Sequence, residues 1–499
     1  MTTDKIKITL FQTSSSGSNN YYLYHAATDK LRQKYDIELL TTNQALYNRD
    51  LNHSDVYVTT HGEHASRNDK INIELWHGFP LKGMAKMDRQ ETTPDTNIDN
   101  YWSNVDMIIS YSSLYNTAMN ACNGARIHQY NITGVPRNDA LLTANSRDNL
   151  MKLFRSWKDS GETIIFFMPT FRNSIITPDK KEGGKNFSNL FGLSEFNKLQ
   201  LLNFLREHKI MMVVKLHPFE ESFFANELQE LNAERIYTLN DKILESSKMD
   251  LYDVLGSADM LITDYSSVYI DYLLLNRPVM FLPTDLEDYR LNRGLLFEPY
   301  EFWTPGPKID SQQELQDSIT RFIKEPTWYE NERNTIMNLC HKYKDHQSSE
   351  RIWGIIDEYI QCNSELIEQR RKNSLQHRQM QQQVKKKIQY IIEQGNLSQA
   401  NEAIQTYLES NSADPDIFSM NGMLHLLNND PQEAINTFQV GHRHFPWDED
   451  LLYNLGYVYE LTGDTKAAIE HYQKALQQSS RPEMITLVNE KLESLNIVG

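Results

Sequence analysis

Short apolar, β-branched runs recur between stretches of helical periodicity through the first 300 residues, and a chain patterned in this way has few folds open to it. Candidate strands fall at 6–11, 55–60, 71–76, 107–110, 163–168, 211–216, 260–263 and 279–282. Each is short and apolar enough to be buried on both faces, as strands of a parallel sheet are. Strands that alternate with helices are joined by crossovers whose helices cover both faces of the sheet. An α/β region is therefore expected. An internal echo points to two similar halves: Asp106-Met-Ile-Ile-Ser-Tyr-Ser-Ser113 and Asp259-Met-Leu-Ile-Thr-Asp-Tyr-Ser-Ser267 both read as strand, turn and Ser-Ser helix start. A polar break near 145–160 separates them, giving expected domains at 1–150 and 151–362.

The remainder differs in kind. Residues 363–394 are rich in Gln, Arg and Lys, nearly free of Gly and Pro, and read as a basic helical linker. A solvated connecting helix is one expectation and docking on anionic lipid headgroups the other. Residues 395–499 carry a repeat: Gly395-Asn-Leu-Ser-Gln-Ala400, Asn429-Asp-Pro-Gln-Glu-Ala434 and Gly463-Asp-Thr-Lys-Ala-Ala468 are spaced by 34 residues, as are Gly422 and Gly456, and Ile404, Phe438 and Tyr472. That period resembles the tetratricopeptide repeat, which implies paired helices and a protein-binding concave surface. Two or so full units are visible, with 482–496 as a capping helix. The region holds 15 acidic and 5 basic side chains, so a basic partner is the expected one.

With 499 residues, about three domains are expected. Lys plus Arg is 50 and Asp plus Glu is 67, and the resulting net charge of −17 argues against nucleic acid as a partner. An anionic ligand would need a local basic patch. The three cysteines, Cys122, Cys340 and Cys362, form no CxxC pair and fit a reducing, cytoplasmic compartment. No secretory signal or membrane-spanning run is visible, so any membrane contact is expected to be peripheral. The chain lacks a P-loop, a GxGxxG fingerprint, HExxH and GxSxG. The triplets Asp414-Pro-Asp416 and Asp448-Glu-Asp450 fall in repeat loops and read as helix N-caps. No cofactor or metal site is evident, and whether a divalent metal is required stays open.

Chemistry is expected at the carboxyl ends of the parallel strands, where open α/β sheets bind ligands. His77, in Trp76-His77-Gly78-Phe79-Pro80-Leu81-Lys82, directly follows a strand and is placed to act as a general base. Gly78 allows close backbone approach there. Lys215 and His217, in Val214-Lys215-Leu216-His217-Pro218, lie at alternate positions where a cation and an imidazole can meet a phosphate. Thr263, Asp264, Ser266 and Ser267 form a helix-start anion site, although N-capping alone would explain either serine. Pro169, Thr170 and Arg172 end another strand, and Arg137 lies in Gly134-Val-Pro136-Arg137-Asn138-Asp139 at the domain crossing.

Together these motifs, in order over roughly 70–340, resemble the CDP-glycerol glycerophosphotransferase family, the teichoic acid and capsule polymerases. Phe79 stands where Thr is common in that family, a departure on the acceptor side. The resemblance implies a GT-B-like fold, two Rossmann-like domains around a cleft, with the CDP-activated polyol bound mainly by the second. It implies transfer of glycerol phosphate or ribitol phosphate from a CDP-polyol donor to a terminal hydroxyl of a polyol-phosphate or glycan-lipid acceptor, releasing CMP, at the cytoplasmic face of a bacterial membrane. His77 and His217 would be the catalytic histidines, with Gly78, Lys82, Arg137, Pro169, Thr170, Arg172, Lys215, Thr263, Asp264, Ser266 and Ser267 binding substrate. Asp271 would contact the ribose unless it is a helix-surface carboxylate, and Arg290 the acceptor phosphates unless it only solvates a loop. The alternatives are a GT-B glycosyltransferase using a nucleotide sugar and a non-catalytic repeat scaffold for surface-polymer assembly.

Overall fold

The structure is a computed structural model that describes residues 5–41, 44–45, 53–62, 68–143, 145–172, 183–184, 188–231, 235–410, 414–446, 448–479 and 481–498. It divides into two compact units, one of residues 1–41 and 53–367, the other of 42–52 and 368–499.

The first unit contains two parallel sheets. One runs in the order β2-β1-β3-β4-β5-β6, built from β1 Ile6–Gln12, β2 Tyr35–Thr41, β3 Val56–Thr59, β4 Ile71–Glu74, β5 Met107–Ser110 and β6 Tyr130–Ile132. The other runs β11-β10-β7-β8-β9, from β7 Thr163–Phe167, β8 Ile210–Val214, β9 Ile236–Thr238, β10 Met260–Thr263 and β11 Val279–Phe281. Every pairing in both is parallel. The second order, read from β9, is the doubly wound 3-2-1-4-5 arrangement, and the two topological switch points fall between β1 and β3 and between β7 and β10. Ligand crevices belong at those strand ends. The expected two-lobed, GT-B-like α/β architecture is thus what the chain adopts.

The echoed motifs do equivalent mechanical work. The Asp259 carboxylate accepts the Ile164 N–H at 2.8 Å, and Asp106 accepts the Asn72 N–H at 2.9 Å, so each fixes the start of a neighbouring strand. They differ at the helix start. Ser112 caps its helix, accepting the Tyr115 N–H at 3.3 Å, whereas Ser267 makes no side-chain cap bond. The helix Ser348–Cys362 returns to the first lobe, where the Trp353 indole donates to the Leu23 carbonyl at 2.8 Å and Asp139 accepts the Ser348 and Ser349 N–H groups.

A single helix, Ser364–Glu393, covers the basic segment. The repeat unit follows with helices Leu397–Ser410, Pro415–Leu427, Pro431–His444, Glu449–Leu461, Thr465–Gln478 and Pro482–Val498. Its period has a packing cause. A Cβ on Gly422 would strike the Phe438 ring, and one on Gly456 would lie 2.6 Å from the Tyr472 ring, so glycine is what lets each aromatic seat between paired helices. Gly395, Asn429 and Gly463, one per period, turn the chain with φ of +74°, +60° and +82°. Asp414 and Asp448 cap their helices, each accepting an N–H at 3.0 Å.

Candidate active site

Adjacent strand ends assemble the first wall of the cleft. Thr59 and Glu74 are paired in the register of β3 and β4, so the residues just beyond them must emerge side by side. Glu74 is fully buried and accepts hydrogen bonds from the Trp76 N–H at 2.9 Å, the Thr59 hydroxyl at 2.7 Å and the Tyr101 hydroxyl at 3.2 Å. One carboxylate therefore pins both loops. Trp76 takes a left-handed φ of +55°, a conformation that costs a bulky residue energy, and this sharp turn presents His77. His77 Nδ1 lies 3.1 Å from the Thr60 carbonyl, and its ring stacks on that of His61 with centroids 4.1 Å apart and planes 5° from parallel. His77 keeps exposed surface. The surrounding walls desolvate it and hold its pKa well below the usual histidine value; His61, Arg137 and Lys82 add to this by charge, and the Thr60 carbonyl opposes it.

Motifs from both sheets meet here. A Cβ on Gly78 would fall 2.6 Å from the Ser267 hydroxyl oxygen, so the His77 loop packs closely against the Tyr-Ser-Ser turn. Ser266 and Ser267 are half-buried, and among the described residues the Ser266 hydroxyl accepts a long 3.5 Å contact from the Val268 N–H. Arg137 lies beneath them, buried. It donates to the His77 carbonyl at 2.8 Å, the Gly17 carbonyl at 3.0 Å and the Asp271 carboxylate at 2.6 Å. Asp271 is fully buried and also accepts from the Tyr252 hydroxyl at 2.5 Å and Asn138 at 3.2 Å. It is neither the surface carboxylate nor an open ribose partner: its lone pairs serve the tie between lobes.

In the second lobe several residues expected at the ligand face inward instead. Arg172 has no exposed surface; its guanidinium is shared between Asp285, at 2.7 and 2.9 Å, and Asp264, at 2.8 Å, and donates to the Thr170 carbonyl at 2.5 Å. Asp264 also receives the Thr170 and Tyr265 N–H groups at 2.7 and 2.6 Å. Thr263 donates to the Met168 carbonyl at 2.7 Å. Lys215 is buried against Asp241 at 3.1 Å. Arg290 pairs with Glu287 at 2.6 Å and Glu298 at 3.1 Å. Each of these cations is thus paired with protein carboxylates in this structure. Pro169 and Thr170 are buried beside Arg172, and among the described residues the Thr170 hydroxyl has no hydrogen-bond partner.

Other residues meet from both lobes. The half-buried His217 ring lies 4.4 Å from that of Phe171, and Lys82 of the first lobe places its ammonium 5.4 Å over the same phenyl ring. Beside the Tyr-Ser-Ser turn is a small aromatic pocket walled by Leu81, Tyr265, Tyr269, Phe297, Tyr300 and Trp303. Among the described residues no cluster of three or more His, Cys, Asp or Glu side chains is arranged to hold a metal ion. His61 and Glu74 were not singled out from the sequence, although His-Gly recurs after two neighbouring strands, in Thr60-His61-Gly62 and Trp76-His77-Gly78, and that repetition was the available signal.

Two Rossmann-like sheets whose strand ends share one cleft define a GT-B-like fold. The chain belongs to the family described as CDP-Glycerol:Poly(glycerophosphate) glycerophosphotransferase, whose pattern it matches over residues 8–358, and it matches the tetratricopeptide repeat over 449–481. It is 26% identical to the teichoic acid glycerol-phosphate primase of Bacillus subtilis (strain 168) over 340 residues, 66% of this chain and 79% of the primase. It is 28% identical to the teichoic acid ribitol-phosphate polymerase TarK of Staphylococcus aureus (strain NCTC 8325 / PS 47) over 223 residues, 44% of this chain but only 39% of that protein. The solved wall teichoic acid polymerase TagF shares the fold, with a TM-score of 0.57 at 20% identity, covering 72% of this chain and 90% of that one.

Proposed function

We propose that the cleft transfers glycerol phosphate or ribitol phosphate from a CDP-polyol to a terminal hydroxyl of a teichoic-acid-type or capsule acceptor, with His77 as general base. The observation that carries this reading is the convergence at Gly78 and Ser267, which brings the loop of the exposed His77 against the turn of two half-buried serines. A carbonyl only accepts hydrogen bonds, so the Thr60 contact assigns the proton to Nδ1 and leaves the Nε2 lone pair for the acceptor hydroxyl. The hydroxyl oxygen attacks the polyol-bearing phosphorus, its proton passes to Nε2, and the bond to CMP breaks with CMP as leaving group. His217, Lys82, Ser266 and Ser267 stabilise the charge on the pyrophosphate, while Arg137, Asp271, Arg172, Asp264, Thr263 and Lys215 hold the loops that carry them.

In this reading the enzyme works peripherally at the cytoplasmic face of the membrane. The acidic repeat unit receives a protein partner, and the basic helix Ser364–Glu393 is a second means of docking. Among the described residues no helix is long and apolar enough to cross a membrane. Lys385 is already paired with Asp416 at 2.5 Å, so exposed Lys386 and Lys387 are the better candidates for headgroup contact. Flotation with anionic vesicles should weaken in the Lys386→Gln/Lys387→Gln variant; equal binding rejects docking through this helix. The catalytic proposal is tested by offering CDP-glycerol, CDP-ribitol and a panel of nucleotide sugars with short acceptors. Acceptor-dependent CMP release from a CDP-polyol supports it, and turnover of a nucleotide sugar alone overturns it.

A further inference from the structure

The stacked imidazole pair at the end of β3 and β4 is unexplained by the transfer chemistry alone, since one base suffices. His61 emerges from β3 at the switch point of the first sheet, two residues beyond the strand end that is paired with Glu74. Its Nδ1 is 2.8 Å from the Thr60 hydroxyl, while the carbonyl of the same Thr60 holds Nδ1 of His77. Thr60 thus grips both rings, one by its side chain and one by its backbone. Beneath them Glu74 ties the two loops together through the Thr59 hydroxyl and the Trp76 N–H.

We infer that His61 is a positioning residue for His77, its ring forming a plate against which the base is held with Nδ1 on the Thr60 carbonyl and Nε2 toward the acceptor hydroxyl. A histidine side chain has a broad, roughly two-fold torsion at its outer bond, so a single hydrogen bond leaves rotation about that bond weakly restrained. A parallel ring at 4.1 Å removes that freedom, because swinging His77 would separate the stacked faces. The plate has a second effect. A neighbouring imidazole discourages a positive charge on His77, in the same direction as Arg137 from the helix Pro136–Leu142 and Lys82 from the loop of His77 itself.

This inference rests on His77 being the base, and the test separates the two claims. Steady-state transfer by the full chain is measured for wild type, His61→Ala, His61→Phe and His77→Ala, and the tautomer of His77 is followed by long-range ¹H–¹⁵N correlation of the imidazole. Misplacing a reacting group by about an ångström is worth up to about 100-fold. His61→Ala should therefore lower kcat at least tenfold while KM for the CDP-polyol changes less than about twofold, with the His77 signals averaging between tautomers. His61→Phe, which keeps a flat face, should restore kcat to within about threefold of wild type and keep the Nδ1–H tautomer. Wild-type kcat in His61→Ala, an equal loss in His61→Phe, or an unchanged His77 tautomer in all three proteins overturns the positioning role. If His77→Ala itself retains kcat, the base assignment fails instead.

Discussion

At the scale of single residues, the distinction that matters is between charges offered to the cleft and charges spent within the protein. Arg172, Lys215 and Arg137 read from the sequence as phosphate ligands because a cation at a strand end is the usual form of one. The counter-charges of the two arginines come from far along the chain: Asp264 and Asp285 lie 92 and 113 residues from Arg172, and Asp271 lies 134 from Arg137. No local spacing reveals that. Breaking a buried ion pair by removing one partner costs about 3–5 kcal/mol. Arg172→Ala should therefore lower the free energy of urea unfolding sharply, whereas His217→Ala should leave it within about 0.5 kcal/mol while weakening use of the donor. Equal stability of the two variants would contradict this division.

Asp250 supplies a pH signature of the same kind. It is fully buried, accepts the Gly17 and Ser18 N–H groups at 3.2 and 2.9 Å, and has its pKa pushed up to about 7 by burial, which those bonds only partly offset. A carboxyl raised in the folded state stays protonated while the unfolded chain ionises. Its contribution to stability is thus full below the ordinary aspartate value near 3.8 and is lost as pH rises from there to about 7. The slope for one group is at most about 1.4 kcal/mol per pH unit. The difference in unfolding free energy between wild type and Asp250→Asn should drift across that window and level off above it. A constant difference from pH 4 to 8 would show that Asp250 does not titrate this way.

At the scale of elements, strands with a buried apolar run were legible and partly buried edge strands were not. All eight runs expected from the sequence are strands, including the three-residue edge strand β11, which is wholly buried, whereas β2, β6 and β9 lie at the other sheet edges and are only partly buried, so none presents a continuous apolar run. The Ser-Ser helix start was legible as a turn, but its freedom from capping was not: Ser112 and Ser267 look alike in sequence, and only the first spends its hydroxyl on its own helix. In the repeat unit the glycine-on-aromatic contacts make a direct prediction. Gly456→Ala should cost about 1–3 kcal/mol by overpacking against Tyr472 and broaden the helical melting transition of this unit, with transfer by the catalytic unit unaffected. A neutral effect would mean that the aromatic can move aside.

At the scale of the whole molecule, an α/β catalytic unit and an acidic repeat unit share one chain, and the 34-residue period made the second as readable as the strands made the first. Removing 395–499 should leave transfer to a short soluble acceptor within about twofold of the full chain, since the site is built wholly from residues before 368, and should change localisation or polymer length in cells. Loss of soluble-acceptor activity in a folded truncation would contradict that separation. The central claim concerns the cleft itself, and the most direct measurement is CMP release from CDP-glycerol and CDP-ribitol, with a short polyol-phosphate acceptor, by wild type and His77→Ala side by side. The account predicts acceptor-dependent turnover of one CDP-polyol and a loss of about 100- to 10,000-fold in kcat in the variant, with the fold intact. Undiminished turnover in His77→Ala would contradict it.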